Sequence, residues 1–481
     1  MKNLFIPLLS ITLLLASCGT STDSSSIPSR SGQNEPSSSS QSEPTSTSII
    51  SSSEESSSEK IEYKTNPMGE PYIARQYYLN HIGDIYSVWK QYRGDGQTIA
   101  VIDEGFNGKH EDFTFEDGTS KVSPDSAFFV TNGDTTSVDV GIDKVDAGEA
   151  SHGTFCAGIA AAGINKKGVV GIAPNAKLLL LKTDLKPKSI VKAMKYAADH
   201  GANVISISIG SYSDYVGDLK NDGSKLTTVF KEPVKYCYDK NIPVISAAGN
   251  GGLDGNPTKY TYPGSTDKVI GVGGLAANSS SDIWEGSSYN SSELYRFIDV
   301  LAPSENMFGC CNYGGKKYDG GTWMGTSFAA PQVAGMAALY FQKNPGATVK
   351  QFETDLYNSC HKIDDSGHYG SGRVDVGKLL GVTNEETVQV RIKASWTSVY
   401  VYAWNLEKEK ELKAWPGKKL TKTNNEYVIE IKPSEYNSIV INDGGNNKSP
   451  DLYVTSFTYE KAYALNSSPI SENDFLIGKY L

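Results

Sequence analysis

Residues 98–103 read TIAVID, a short run of apolar and β-branched side chains that ends in a carboxylate, Asp103. A run of this kind between turn-forming residues predicts a strand that is buried on both faces. Four further runs share this character: KLLLLK (177–182), NVISIS (203–208), IPVISA (242–247) and KVIGVG (268–273). Strands buried on both faces are typical of parallel sheets, so we expect one at the centre of this region.

Helical patterns lie between several of these strands, at HGTFCAGIAAA (152–162), SIVKAMKYAADH (189–200) and TTVFKEPVKYCYDK (227–240). A longer helical pattern runs from Ser327 to about Gln342, and another follows in QFETDLYNSC (351–360). Strands that alternate with helices predict an α/β fold with a doubly wound, mostly parallel sheet. We expect this domain to span residues 63–383.

The chain changes character after residue 386. VQVRIKAS (388–395), SVYVYAW (398–404), EYVIEIK (426–432) and SIVIND (438–443) have strand length and are separated by polar turns. Short strands without intervening helices predict a small all-β, sandwich-like domain at residues 387–481. The net charge of −10 argues against a nucleic-acid partner, because little basic surface is available to neutralise phosphates.

The N-terminus begins with MKN, continues with the apolar run LFIPLLSITLLL and ends in LASC at Cys18. This order of charge, short apolar run and small residues is typical of a signal peptide rather than a membrane span. It resembles a bacterial lipoprotein signal at residues 1–18, which implies a lipid on Cys18. The alternative is an ordinary secretory signal with an incidental cysteine.

Residues 19–62 are rich in serine and predict a disordered tether between membrane and body. The body is therefore expected to be extracytoplasmic and anchored through its N-terminal lipid. Beyond Cys18 the chain has five cysteines, Cys156, Cys237, Cys310, Cys311 and Cys360. Since five is odd, at least one thiol is expected to stay unpaired, and the pairing of the others is left open.

Chemistry is indicated by GTSFAAPQVAG (325–335), where Ser327 stands at the start of a helix, and by SHGTFCAG (151–158), where His152 does the same. A serine nucleophile needs a base, and the base needs an acid that orients it. Asp103, at the end of a buried strand, is the available acid. Asn250, among glycines in ISAAGNGG (245–252), offers an amide to a developing oxyanion.

In the order Asp, His, Asn and Ser these motifs resemble the subtilisin-like serine peptidases. The resemblance covers about residues 70–382 and includes GIAPNAKLLLLK (171–182) and NVISISIG (203–210). It implies that Ser327 attacks the peptide carbonyl, that His152 transfers the proton and that Asp103 holds the imidazole. Members of this family often carry a folding prodomain, for which little room is left after Cys18, so we expect folding to be unassisted or helped in trans.

The resemblance also implies a substrate cleft. Ser208, Ile209 and Gly210 would form one edge that pairs with an extended peptide. Ala247, Ala248 and Gly249 would form the facing wall of the primary pocket. Thr261 stands where subtilisins usually have glycine, which predicts a raised pocket floor and leaves the preference for large aromatic P1 residues open.

The stretch VIDEGFNGKHEDF (101–113) contains further carboxylates. Glu104 replaces the Ser or Thr that commonly follows the catalytic acid, and we expect it to face solvent or a basic partner. HEDF (110–113) resembles a family motif that contributes to a calcium site. The implied Ca²⁺ ligands are the side chains of Asp112 and Asn165 and the carbonyls of Gly163, Lys167 and Val169. The alternative is a surface loop without metal, and His110 is interpreted as structural.

In the C-terminal domain, VYVYAW (399–404), KAWPGKKL (413–420) and INDGGNNKSPDL (441–452) resemble starch-binding modules of bacterial amylases. Tyr400 and Tyr402 share a strand face by the period of two, and Trp415 lies at a turn. The resemblance implies an aromatic platform on which a glucan stacks. The alternative is that these side chains pack a core.

Together these features predict a membrane-tethered extracellular serine endopeptidase that acts on proteins or peptides and has a possible glucan-binding accessory domain. Within the peptidases, a processing enzyme of narrow specificity is the alternative to broad degradation. A carbohydrate-binding surface lipoprotein with a vestigial peptidase domain is a different class. A glycosidase with paired carboxylates would leave Ser327 and His152 unexplained.

Overall fold

A computed structural model describes the chain from Met68 to Tyr480. Within this span the undescribed residues are 149–150, 213–225, 278–281, 291–296, 365, 383–387, 406–409, 424–425, 433–434, 437, 450–451, 454–460 and 465–474. The predicted signal peptide with Cys18 and the predicted tether (19–62) lie outside the described residues. No helix in the described part of the chain is both long and apolar enough to cross a membrane.

The first domain contains strands and helices in alternation. Its strands are β1 (Thr98–Asp103), β2 (Ala127–Asn132), β3 (Thr135–Val140), β4 (Lys177–Thr183), β5 (Val204–Ile207), β6 (Ser211–Tyr212), β7 (Val244–Ala247), β8 (Thr261–Tyr262), β9 (Val269–Leu275), β10 (Val300–Pro303), β11 (Met307–Cys310) and β12 (Tyr318–Trp323). Its α-helices are α1 (Ile85–Trp89), α2 (His152–Ala161), α3 (Pro187–Asp199), α4 (Leu226–Val229), α5 (Lys231–Asp239), α6 (Thr326–Lys343), α7 (Val349–Ser359) and α8 (Val376–Leu379). Short 3-10 helices occupy Ile73–Arg75, Tyr77–His81 and Ile142–Lys144.

Eight of these strands form one sheet in the order β10-β9-β7-β5-β1-β4-β2-β3. All neighbours are parallel except the hairpin of β2 with β3. The doubly wound, mostly parallel sheet predicted by the sequence is therefore confirmed. In such sheets functional groups collect at the carboxyl ends of the strands.

The two faces of the sheet are covered by separate hydrophobic clusters. Alternate residues of β1 enter them, with Ile99 and Val101 on the face of α2 and α6, and Ala100 and Ile102 on the face of α3 and α5. Helix α6 is buried from Thr326 to Tyr340, as its run of small and apolar side chains requires. A helix buried on all sides holds the side chains at its first turn rigidly.

The sequence prediction differs from the structure in some elements. The helix expected at 227–240 is divided into α4 and α5 at Phe230, before Pro233, whose missing N–H is tolerated in a first turn. Strands β2, β3, β10, β11 and β12 were not predicted. The alternating, largely exposed pattern of β3 lacks the continuous apolar run used to find buried strands.

The C-terminal domain is all β, as predicted. Its strands are β13 (Val388–Lys393), β14 (Tyr400–Asn405), β15 (Lys410–Glu411), β16 (Lys418–Lys419), β17 (Lys422–Thr423), β18 (Glu426–Ile431), β19 (Ser438–Asn442), β20 (Leu452–Tyr453), β21 (Lys461–Ala464) and β22 (Phe475–Tyr480). They form two antiparallel sheets, β17-β18-β13-β22-β21 and β15-β14-β19-β20, and β16 also pairs with β14. Side chains of both sheets, such as Ile392 and Ile441, share one core, which is the arrangement of a β-sandwich.

Candidate active site

Asp103 and His152 meet at the carboxyl edge of the sheet. Asp103 is the last residue of β1 and is fully buried, while His152 is the first residue of α2. Nδ1 of His152 lies 2.8 Å from Oδ1 of Asp103. Because an ionised carboxylate only accepts, Nδ1 carries the proton and Nε2 is left as the basic nitrogen. The ring is therefore oriented as a general base requires.

His152 has an unusual electrostatic environment. Burial by itself lowers the pKa of the imidazole, but the charge and hydrogen bond of Asp103 and the charge of Glu104 together raise the pKa above its usual value. Its Nε2 atom is buried and has no hydrogen-bond partner among the described residues. A base with a raised pKa and an open nitrogen is suited to accept a proton from a neighbouring hydroxyl.

Ser327 lies in the first turn of α6, which packs against α2. The residue before this helix, Gly325, has φ of 149°, a conformation that side chains other than glycine rarely adopt. The Oγ of Ser327 donates to the carbonyl of Ser208 at 3.0 Å, and the Ser208 hydroxyl donates to the Ser327 carbonyl at 2.7 Å. The hydroxyl is thus bonded to Ser208 rather than to Nε2 of His152, and catalytic hydrogen bonds are often unformed without substrate.

Asn250 follows β7 and faces the start of α6. Its Oδ1 accepts the backbone N–H of Thr326 at 3.0 Å and the Thr326 hydroxyl at 2.9 Å. Since the backbone N–H can only donate, the oxygen of the amide is identified and Nδ2 is directed away from Thr326. Nδ2 lies 3.4 Å from the point that a Cβ on Gly325 would occupy. Nδ2 therefore lies beside the backbone that leads into Ser327.

Thr326 was not recognised from the sequence as a site residue. Its hydroxyl also accepts the backbone N–H of Gly249 at 3.1 Å, so it joins α6 to the pocket wall as well as to Asn250. Its position inside the GTS motif is the sequence feature that could have identified Thr326 as a site residue. The residue that precedes the candidate nucleophile therefore positions the candidate oxyanion donor.

The predicted cleft residues lie on two adjacent strand ends. Ser208, Ile209 and Gly210 follow β5, while Ala247 ends β7 and leads to Ala248 and Gly249. The side chain of Ala248 packs in a hydrophobic cluster with Leu275, Phe297, Ile298 and Leu301, so it does not line a pocket. The two backbone segments follow neighbouring parallel strands, and their role as edges of a substrate cleft stays a prediction.

Thr261 occupies the space between these edges. A Cβ placed on Gly249 would lie 2.3 Å from Oγ1 of Thr261, and one placed on Gly210 would lie 3.1 Å from its Cγ2. The side chain is buried, and Oγ1 has no hydrogen-bond partner in the described part of the chain. Thr261 therefore fills volume that a glycine at this position would leave open.

The residues proposed for calcium are engaged with one another. Oδ1 of Asn165 accepts the N–H of Lys167 at 3.1 Å, while its amide N–H group lies 3.1 Å from the carbonyl of Glu111. The Lys167 ammonium approaches that same carbonyl at 3.4 Å. Oδ2 of Asp112 accepts the N–H of Val169 at 2.9 Å, and only Oδ1 lacks a partner among the described residues.

The backbone of this loop, which begins at Gly163, is directed at another carboxylate. The buried side chain of Glu70 accepts N–H groups from four consecutive residues, Asn165, Lys166, Lys167 and Gly168. Converging N–H groups form an anion-binding turn, the opposite polarity to a cation site. Because Oδ1 of Asn165 and Oδ2 of Asp112 already accept loop N–H groups, the set Asp112, Asn165, Gly163, Lys167 and Val169 would have to rearrange to hold Ca²⁺. Glu70 was not identified from the sequence.

Two further sequence interpretations concern His110 and the thiols. His110 is buried, with Nε2 2.8 Å from the carbonyl of Lys317 and Nδ1 accepting the N–H of Asp112, so both ring nitrogens have structural partners. The five cysteines after Cys18 are all free thiols. Four of them are buried, and no disulfide links them.

The C-terminal domain carries partly exposed rings on one strand face. Tyr400, Tyr402 and Trp404 alternate with buried residues along β14 and are half-buried. The rings of Tyr402 and Trp404 stack at 5.4 Å, and Trp415, 53% exposed, meets Tyr402 edge-on at 5.5 Å. The predicted trio of Tyr400, Tyr402 and Trp415 thus lies outside the core, and Trp404 is an addition that the period of two could have found.

Two family descriptions match the sequence. The model of the Subtilase family matches residues 94–375, more than half of the chain. A model described as starch-binding module 26 matches residues 389–453. The second match contains the four rings of the C-terminal domain described above.

Curated relatives match the first domain. Subtilisin DY of Bacillus licheniformis is 30% identical over 290 residues, which cover 59% of this chain and 91% of that protein. Thermitase of Thermoactinomyces vulgaris is 30% identical over 320 residues, covering 65% of this chain and 98% of thermitase. An intracellular serine protease of Paenibacillus polymyxa is 34% identical over 276 residues, covering 56% of this chain and 73% of that protein.

Solved structures show the same fold. The epidermin leader peptide processing serine protease of Staphylococcus aureus aligns with a TM-score of 0.54 and 24% identity, over 67% of this chain and 83% of that one. Fervidolysin, a keratinolytic enzyme from Fervidobacterium pennivorans, aligns with a TM-score of 0.53 and 21% identity, over 79% of this chain and 58% of that one. At these identities the likeness is one of fold.

Proposed function

The chain belongs to the subtilase family and is a serine endopeptidase with a C-terminal starch-binding module, and we propose that Asp103, His152 and Ser327 are its catalytic triad. The observation that carries this assignment is the 2.8 Å bond between His152 Nδ1 and Asp103 at the carboxyl edge of the sheet. Ser327 stands in the helix packed against that of His152. Asn250 is proposed as the side-chain donor of the oxyanion hole.

The reaction follows from these positions. Oγ of Ser327 rotates from the Ser208 carbonyl towards Nε2 of His152, transfers its proton and attacks the peptide carbonyl. The oxyanion that forms is stabilised by Nδ2 of Asn250 and by the Ser327 backbone N–H. The imidazolium, stabilised by Asp103, then gives its proton to the leaving amine. A water molecule then attacks the acyl-enzyme in the same way, with His152 as the base, and the acyl group is released from Ser327.

A fluorophosphonate probe tests the nucleophile directly. We expect the full chain to be labelled and to hydrolyse casein, and Ser327→Ala to lose both properties. Ser304→Ala, at a buried serine outside the proposed triad, is the matched control and should keep both. Unlabelled wild-type protein would favour a vestigial peptidase domain, and undiminished turnover by Ser327→Ala would remove the assignment.

For specificity, we propose a preference for small P1 residues. The support is Thr261, whose side chain fills the space between Gly210 and Gly249. Its buried Oγ1, unpartnered among the described residues, also offers a hydrogen bond to a small polar P1 side chain. A narrow pocket is compatible with a dedicated processing enzyme as well as with broad degradation of proteins.

Peptide p-nitroanilides that differ only in P1 test this preference. Wild type should favour Ala or Ser over Phe in kcat/KM. Thr261→Gly should raise kcat/KM for the Phe substrate by about 10-fold or more, since a few buried atoms decide pocket discrimination. A wild type that prefers Phe, or a Thr261→Gly variant with an unchanged profile, would contradict the proposal.

For localisation, we propose an extracytoplasmic protein anchored to the bacterial membrane through a lipid on Cys18. The support is the sequence of residues 1–18, with its apolar run and LASC ending. Labelling with a radioactive fatty acid should mark the wild type and Cys360→Ser, but not Cys18→Ser. Release of Cys18→Ser into the medium would agree with loss of the anchor, and a labelled Cys18→Ser would exclude it.

For the C-terminal module, we propose that the half-buried rings of Tyr400 and Tyr402 and the exposed ring of Trp415 bind starch or a related glucan. Flat aromatic faces suit the apolar faces of sugar rings, and the match to a starch-binding module covers these residues. Calcium is not included in the proposal, because Oδ1 of Asn165 and Oδ2 of Asp112 each accept an N–H group of the loop. It stays a prediction of the sequence that metal removal tests.

A further inference from the structure

The loop at residues 165–168 binds a buried anion that belongs to the chain itself. Glu70 is fully buried, and its carboxylate accepts the four N–H groups of this loop over distances of 2.5–3.1 Å. Lys166 has φ of 67°, a left-handed conformation that turns successive N–H groups towards the same side. The loop therefore forms an anion-binding site, and Glu70 fills it in cis.

Residues 70–78 form an N-terminal strap that contacts the same loop region at two further points. The N–H of Tyr72 donates to the carbonyl of Gly168 at 2.9 Å. The amide of Gln76 accepts the N–H of Val170 and donates to the Val170 carbonyl, both at 2.8 Å. The strap is thus held on the loop by these hydrogen bonds as well as by its buried carboxylate.

This loop lies directly after α2, the helix that begins at His152. Just beyond the loop, the N–H of Ile172 donates to the carbonyl of Ile159 in the last turn of α2 at 2.9 Å. The loop is therefore bonded to the helix on one side and to the strap on the other. A contact made by the strap is transmitted to α2 through two hydrogen-bonded steps.

The strap also contacts the segment that leads into α6. The hydroxyl of Tyr77 donates to the carbonyl of Glu305 at 2.6 Å, just before β11. The guanidinium of Arg75 lies over the ring of Phe308, 3.7 Å from its centroid. Strand β11 pairs with β12, which precedes α6 and Ser327. The strap thus joins the loop after one helix of the proposed triad to the hairpin before the other.

We propose that Glu70 is a positioning residue, which fixes the strap in the anion site of the loop and so holds α2 and α6 in their relative positions. The proposal rests on the assignment of His152 and Ser327 to the triad. A buried carboxylate is costly unless donors surround it, whereas hydrogen bonds to a charged acceptor are strong. The strap can therefore dock only while the loop keeps the conformation that directs its N–H groups at Glu70.

Glu70→Gln tests the role of the charge, because it keeps the size of the side chain but replaces one acceptor oxygen by a donor. Its melting temperature should fall by about 5 °C or more, since hydrogen bonds to a charged group are lost. At a temperature where circular dichroism shows it folded, its kcat on a peptide substrate should fall by about 10-fold with little change in KM, because displaced catalytic groups are costly. The rate of fluorophosphonate labelling should fall with kcat.

The other end of the strap is tested by Tyr77→Phe, which removes the hydrogen bond to the Glu305 carbonyl. It should shift the melting temperature and kcat in the same direction but by less. Glu116→Gln is the matched control, because this acid lies 4.0 Å from the Lys166 ammonium beside the same loop but is 68% exposed. Its melting temperature and kcat should equal those of the wild type.

Glu70→Ala tests the anion site itself. Acetate at constant ionic strength should raise the melting temperature of this variant more than chloride does and leave the wild type unchanged, because the vacated N–H groups can bind a free carboxylate. An acetate effect no larger than that of chloride would overturn the proposal. So would a Glu70→Gln protein with an unchanged melting temperature, or one that is less stable but keeps its kcat while folded. Failure of the triad assignment would appear separately, as activity in Ser327→Ala.

Discussion

The peptidase domain and the C-terminal module place their proposed functional side chains in opposite ways. Asp103, His152 and Ser327 are 0%, 6% and 4% exposed and come from three different elements. Tyr402 and Trp404 are neighbours on one strand, and Trp415 beside them is 53% exposed. A reaction needs charged groups fixed in a site that excludes water, whereas sugar binding needs flat rings that water and ligand can reach.

This difference has a consequence for stability. In the peptidase domain the proposed catalytic residues lie directly beside core residues. Phe155, one turn after His152, stacks on Trp323 with ring centroids 4.7 Å apart, and its ring centroid lies 4.8 Å from that of Phe328. In the module the rings lie outside the core formed by residues such as Ile439 and Ile441. Substitutions that destabilise the first domain should therefore also reduce its activity, whereas in the second domain binding can be lost without a loss of stability.

The largest effect is expected for Phe155→Ala. Removal of this fully buried ring should lower the free energy of unfolding by about 3–5 kcal/mol and reduce peptidase activity with it. Chemical denaturation followed by fluorescence measures the change. Val140→Ala, at an exposed position of β3, is the control and should leave stability unchanged. A stable and fully active Phe155→Ala protein would contradict the statement that function and folding are inseparable in the peptidase domain.

The next largest effect is expected on catalysis, with no change in folding. Asn250→Leu should lower kcat by about 10²–10³-fold with little change in KM, a range for oxyanion donors that was itself established on a subtilisin. The reason is that the amide binds the carbonyl oxygen of the substrate strongly only when negative charge develops on that oxygen in the transition state. Steady-state kinetics on a peptide substrate measure it. Equal losses in binding and turnover would instead indicate a damaged pocket.

A smaller effect is expected in the module. Trp415→Ala should weaken retention on insoluble starch by about 10-fold, because an exposed aromatic anchor is lost. Stability and casein hydrolysis should stay at the wild-type level. Val428→Ala, exposed on the other sheet, is the matched control and should bind starch normally. If the wild-type protein is not retained on insoluble starch, the glucan proposal is wrong.

The smallest effect is expected from removal of metal. A calcium chelator should leave the melting temperature unchanged, because the Asn165 Oδ1 and Asp112 Oδ2 oxygens already accept N–H groups of the loop. Differential scanning calorimetry with and without added Ca²⁺ measures it. A clear rise in melting temperature with Ca²⁺ would restore the sequence's calcium prediction and would mean that the loop rearranges around the ion.

The sequence by itself determined the architecture and was enough to propose the residues of the site. Continuous apolar runs such as TIAVID predict buried parallel strands, because a strand that is buried on both faces needs apolar side chains at nearly every position. Asp103, His152, Asn250 and Ser327 were found because each stands at the start of a helix or the end of a strand, where local patterns are strong. Exposed strands such as β3 were missed because their pattern is weak.

Only the tertiary structure decided what individual side chains do across the chain. The contact of Glu70 with the loop at residues 165–168 joins segments that are more than 90 positions apart. No local pattern encodes such a pairing, because packing sets the distance between distant segments. Thr261 likewise became a pocket-filling residue only when Gly249 and Gly210 were found on either side of it.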